Sequence, residues 1–233
     1  YNLLLGNNVN NLGDANIALG NNSGITGFSG SLSSSKGNIA IRNYAGVAGG
    51  SGNISMGNLA GTAGGIGNIS IGNEAANTVG STCAIAIGNL ANNVGSAGSI
   101  ALGNAAEAGA AAGVIALGNA AFTGAAEGAI AIGNKAIVGV SGKKIGAGSI
   151  AMGNAAIAKN GDNQIAIGNK VQVTSTGGIA MGDTASISAD DAIGIGSKVN
   201  ISGEGGIAIG GDVERSEEAV AEWKKAVALV ADE

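Results

Sequence analysis

Apolar and polar residues alternate along this chain in short bursts, and the most regular burst is a five-residue phrase of the form Ile-Ala-Ile-Gly-Asn. Copies begin at Leu3, Ile17, Ile39, Ile54, Ile69, Ile85, Ile100, Ile115, Ile130, Ile150, Ile165, Ile179, Ile193 and Ile207. They lie 14 to 16 residues apart, apart from steps of 22 after Ile17 and 20 after Ile130. In the copy at Ile69, alternation puts Ile69 and Ile71 on one face of a short strand and Ser70 on the other. Gly72 and Asn73 form a pair that tolerates positive φ and lets the chain reverse. A second short strand follows with Ala75 inward, and a polar turn leads to the next copy. Repeats of this period predict a solenoid, each copy one coil stacked on the last. The expected fold is an all-β, parallel β-roll of about fourteen coils of 14–15 residues over residues 1–211.

Each position of the phrase carries its own expectation. The first and third residues are Ile, Leu or Met in every copy, which predicts a stacked aliphatic interior. Gly is fourth in thirteen copies, with Arg42 the exception, and Asn is fifth in eleven, replaced by Asp183, Ser197 and Gly211. Stacked Asn side chains can form a hydrogen-bonded ladder, or each Asn can simply take the left-handed turn conformation. The second residue is expected to point away from the interior. It is nevertheless Ala in ten copies, Ser at 55 and 70, Gly at 194 and Leu at 4. Small, apolar, outward residues predict close approach of another surface, here sister chains packed along Ala86, Ala101, Ala116, Ala131, Ala151 and Ala166. The other reading is that Ala suits a tight coil. A single narrow roll also encloses little interior, which points to a homo-oligomer.

The outward residues of the second strand vary as a solvent face should: Tyr44, Leu59, Glu74, Leu90, Phe122, Lys135, Ile137, Ile157, Lys170 and Lys198. The two long steps place insertions at 22–37 and about 135–149, and insertions in solenoids form surface loops that often bind ligands. The candidate ligand surface is therefore Phe28, Lys36, Arg42, Tyr44, Phe122, Lys143 and Lys144.

Composition narrows the chemistry. The chain has Gly 45, Pro 0 and a net charge of −5, with no basic cluster to hold nucleic acid. With no His and one Cys, it lacks imidazole acid/base chemistry, zinc-site ligands and a disulfide framework, so no cofactor or metal is expected. No apolar run is long enough for a transmembrane helix. The chain opens inside a repeat, so it is expected to be part of something longer. Cys83 is expected to be an unreactive small residue. The segment 139–144 lacks the spacing and the Ser/Thr of a phosphate loop. Asp190 and Asp191 project to opposite faces, which favours a solvated turn over a cation site.

Residues 212–233 change register. Ser216, Glu217 and Glu218 suit a helix N-terminus. Val213, Val220 and Val227, with Trp223 and Val230 at the other seam position, predict a short α-helix that either starts a coiled coil or caps the last coil.

Taken together, [IV]-A-[IM]-G-N units every 14 to 15 residues before a heptad segment resemble the head of a trimeric autotransporter adhesin of the YadA-like type, over residues 1–211. That resemblance implies a left-handed roll, three chains around one axis, and display on the outer membrane surface of a Gram-negative bacterium. It also implies binding to host matrix proteins or cell receptors, with self-association in some members. Two departures stand out. The neck that usually follows such heads is not recognisable in 211–233, and the segments nearest a collagen-binding motif, 98–103 and 148–153, lack its Asn. The expected function is a non-enzymatic adhesin head, a homotrimer with a host matrix or receptor partner and no membrane insertion of its own. A trimeric phage fibre or other structural rod is the alternative. Solenoid enzymes fit poorly, because hexapeptide acyltransferases repeat every six residues and use a His, and lyases gather charged side chains.

Overall fold

The computed structural model describes residues 1–11, 13–26, 36–62, 64–77, 81–94, 97–140, 145–203, 206–211 and 214–215. Across them the chain is an all-β parallel solenoid of two sheets, each of fourteen strands. One sheet holds the phrase strands, from Leu3–Leu5 to Ile207–Ile209; the other holds the return strands, from Asn10–Asn11 to Glu214–Arg215. Equivalent phrase positions pair in register, as in Ile100↔Ile115, Ala101↔Ala116 and Leu102↔Leu117. The long steps leave the register untouched, since Ile17 pairs Ile39 and Ile130 pairs Ile150. No helix occurs among the described residues, and the predicted seam Val213, Val220, Trp223, Val227 and Val230 lies outside them.

Backbone hydrogen bonding runs from coil to coil through the turns as well as the strands. The Gly88 N–H donates to the Ile71 carbonyl at 2.8 Å, and the Leu90 N–H to the Asn73 carbonyl at 2.9 Å. Gly in the fourth position is dictated by this turn. Gly72, Gly103 and Gly118 sit at φ of 140°, 137° and 135°, where a Cβ would also run into the backbone of the next coil. The left-handed conformation falls one residue beyond the expected Gly-Asn pair, on Glu74 (φ 54°), Leu90 (φ 57°) and Lys135 (φ 55°). Asn is thereby free to stack. Side-chain amide hydrogen bonds run from Asn58 through Asn73, Asn89, Asn104, Asn119, Asn134 and Asn154 to Asn169, whose Nδ2 donates to the Asp183 carboxylate, each between 2.6 and 3.1 Å. The ladder reading holds.

The expected interior and exterior of the phrase strand are reversed. Ala86, Ala101, Ala116, Ala131, Ala151 and Ala166 are fully buried inside the coil and cannot meet sister chains. Ile and Leu in the first and third positions point outward, and Met56, Leu102 and Met152 are 36%, 38% and 40% exposed. Alternation establishes that neighbours face opposite ways, but not which way is in. The space between the two sheets holds mainly Ala, with Ile25, Val47, Val138, Val173, Ile187 and Ile201 the larger apolar members of one return-strand column. Two columns of Ile would overfill it. Of the residues expected on the outer face of the return strand, Phe122, Ile137 and Ile157 lie there, whereas Tyr44, Leu59, Glu74, Leu90, Lys135, Lys170 and Lys198 fall in the left-handed turn that precedes it, before the buried Ala45, Ala60, Ala75, Ala91, Ala136, Val171 and Val199.

A second Asn column lies inside the roll, immediately before the phrase. Oδ1 of Asn16, Asn38 and Asn53 accepts the backbone N–H of Asn38, Asn53 and Asn68 in turn at 2.8 to 2.9 Å, and Asn68 Oδ1 accepts from Ala84. The coils beginning at Ile54 and Ile69 therefore have a polar interior of Asn53, Ser55 and Thr62, then Asn68, Ser70 and Asn77. Apolar clusters lie on either side, one from Ala18 to Val47 and a longer one from Ala101 to Ala208.

Candidate binding surfaces

Three outward surfaces emerge from this arrangement. The first is the phrase sheet. Its fourteen strands each present two aliphatic side chains, and none of these is buried. Ile stands first in every strand but the Leu3 strand, while Met56, Met152 and Met181 all stand third, beside Leu102 and Leu117. β-branched Ile favours the strand, and unbranched Met adapts its shape to whatever it packs against. A single coil wall leaves this stripe uncovered along its whole length. Exposed apolar stripes of such extent mark surfaces that meet another macromolecule.

The second surface is the turn column that follows the Asn ladder. Its residues take left-handed φ, a conformation that costs side chains other than Gly and Asn about 1–2 kcal/mol. Large side chains nevertheless occupy it at the N-terminal end, with Tyr44 (φ 53°), Leu59 and Leu90 about half exposed. Toward the other end the column carries Lys135, Lys170 and Lys198, with Ala155 and Thr184 between them. Arg42 lies two residues before Tyr44, in the glycine column, at φ 96°.

The third surface is the outer face of the return sheet. Glu107, Phe122, Ile137 and Ile157 are successive register partners there, all half-buried. Neighbouring strands lie about 4.8 Å apart, so these side chains form one contiguous column. Gly109 and Gly124 follow the Glu107–Ala108 and Phe122–Thr123 strands, and a Cβ at Gly109 would strike the backbone of Gly124. A groove of about 240 Å³ lies here, lined by Val94, Glu107, Phe122 and the closely stacked backbone of Gly109 and Gly124.

The predicted ligand residues are therefore divided. Arg42 and Tyr44 share one turn, and Lys36 is exposed on a short parallel bridge between Asp14 and Ser51. Phe122 lies on a different face, the outer side of the return sheet. Phe28, Lys143 and Lys144 lie outside the described residues. Sequence reasoning missed the outward role of the aliphatic columns and the internal Asn ladder. The signal for the ladder was the Gly-Asn-Ile triplet at 37–39, 52–54 and 67–69. Among the described residues, no group of three or more Asp, Glu or Cys converges as metal ligands. Cys83 is exposed and not disulfide-bonded.

No protein-family model matches this chain, and no curated protein sequence matches it.

Proposed function

We propose that this chain is the head of a trimeric surface adhesin. Three copies pack their phrase sheets around one axis, and the return sheets and turn columns face outward to engage a host matrix protein or cell-surface receptor. On this reading the head is non-enzymatic, the roll winds left-handed, and the chain beyond the Glu214–Arg215 strand leads into a stalk outside the outer membrane of a Gram-negative cell. The observation that carries it is the uncovered double column of Ile, Leu and Met. A stripe of this length on an isolated chain would drive association, and identical in-register strands make a sister chain its natural complement. The phrase resemblance selects three chains. A trimeric fibre of another kind would use the same stripe. The adhesin reading is favoured by the turn column, where Tyr44, Leu59 and Leu90 hold large apolar groups in solvent at a conformational cost.

Sedimentation equilibrium tests the assembly, with an expected mass of three times the 21.9 kDa chain. A folded monomer would overturn it. Solid-phase binding to collagen, laminin, fibronectin and epithelial cells tests the adhesion. A trimer that binds none of these surfaces and does not self-associate overturns the adhesin reading and leaves a structural rod.

A further inference from the structure

We infer that the groove beside Phe122 is a docking site for an arginine side chain on an extended segment of a partner protein. The inference rests on the adhesin reading for the existence of such a partner, and it names where contact occurs and with what chemistry. Four features converge. At about 240 Å³ the groove is smaller than the roughly 300–1,000 Å³ of small-molecule sites, so its scale suits one long side chain. Its lining includes the backbone of Gly109 and Gly124, where the coils stack too closely for a side chain. One wall is the Phe122 ring and the next coil presents the Glu107 carboxylate, because the two residues are register partners. An aromatic face beside a carboxylate recognises a planar cation through both stacking and charge.

The surrounding charge agrees. Between Arg42 and Lys135 the chain contains no Lys or Arg, and its charged residues there are Glu74, Glu107 and Glu127. Among the described residues the Glu107 carboxylate accepts no hydrogen bond, so it is available to an incoming guanidinium. Past Phe122 the same column continues as Ile137 and Ile157, an apolar track for the residues flanking the arginine. A neutral or anionic ligand finds no cationic group in this groove.

The test uses the soluble assembly and a fluorescently labelled peptide, acetyl-Ile-Arg-Ile-amide, with its citrulline analogue as the neutral isostere. Fluorescence anisotropy is expected to show saturable binding, about tenfold weaker for the citrulline peptide. Glu107→Gln and Phe122→Leu should each weaken the arginine peptide by a similar factor, whereas Glu74→Gln should leave it unchanged. Phe122→Leu keeps an apolar surface residue while removing the ring, and circular dichroism confirms that each variant is folded. No binding at millimolar peptide overturns the inference, as happens if a sister chain covers the groove. Equal affinity for citrulline, or equal losses from Glu74→Gln and Glu107→Gln, overturns it too. The adhesin reading is scored separately by whole-head binding to matrix proteins and cells. A head that binds those surfaces but not the peptide sinks the groove alone, and one that binds only the peptide sinks the adhesin reading.

Discussion

Ile115 and Ala116 are consecutive residues on opposite sides of one coil wall. Ala116 is fully buried among the stacked Ala of the roll, whereas Ile115 is half-buried and stacks on Ile100 and Ile130 along the outer apolar stripe. The phrase therefore serves two separate purposes, closing the coil with its second residue and presenting an outer apolar stripe with its first and third.

This division makes the two faces separable by substitution. Leu117→Glu puts a charge on the outward stripe, where water solvates it in the isolated chain, so the coil should fold but the assembly should fail. Ala116→Glu buries an unpaired carboxylate in a space shaped for a methyl group and should unfold the coils around it. Light scattering with circular dichroism checks both. A folded trimer of Leu117→Glu would refute the assignment of the stripe.

The glycine column should respond sharply to a single methyl group. Gly118 has φ of 135° and no room for a Cβ against Gly133, whereas Gly113 has φ of 66° and open space around it. Gly118→Ala is expected to cost ~3 kcal/mol or more, and Gly113→Ala about 1 kcal/mol. Denaturation midpoints of the two variants, compared with the parent, measure the difference. Equal losses would mean that the turn relaxes around a new side chain.

Much of this fold was legible because a solenoid writes its period directly into the sequence. Coil number, parallel pairing and the glycine turn follow from the spacing of the phrase and the chemistry of its last two residues. The inside of the coil was not legible, because Ile-Ala-Ile is equally consistent with Ile in or Ala in. What decides is the distance between two sheets that are not neighbours in sequence, and a one-residue inversion exchanges the two faces completely. The groove at Phe122 was half legible: the outward Phe could be read from alternation. Its pairing with Glu107 and the glycine lining required knowing which residues stack.

The polar interior of the second and third coils after the long insertion should be improvable. Thr62 is buried, and its Oγ1 has no hydrogen-bond partner, while its register neighbour Val47 is a buried hydrocarbon of the same shape. Thr62→Val removes an unsatisfied hydroxyl without changing volume and is expected to stabilise the chain by about 1 kcal/mol. A thermal melt that moves downward instead would mean that the hydroxyl is satisfied in solution.

Arg42 offers a test of whether strain at the surface serves binding. It alone occupies the glycine column with a side chain, at φ of 96°, and its N–H still donates to the Leu19 carbonyl at 2.7 Å. The coil therefore tolerates the residue without needing it. Arg42→Gly restores the column and is expected to raise stability by about 1 kcal/mol, the cost of holding a Cβ in that region less the extra freedom of glycine in the unfolded chain. If Arg42 and the exposed Tyr44 two residues on are retained for a partner, the same substitution should weaken attachment of the head to matrix proteins or cells while the melting temperature rises. Paired melting and binding curves on one preparation decide the matter. A gain in stability with undiminished attachment would remove Arg42 from the ligand surface.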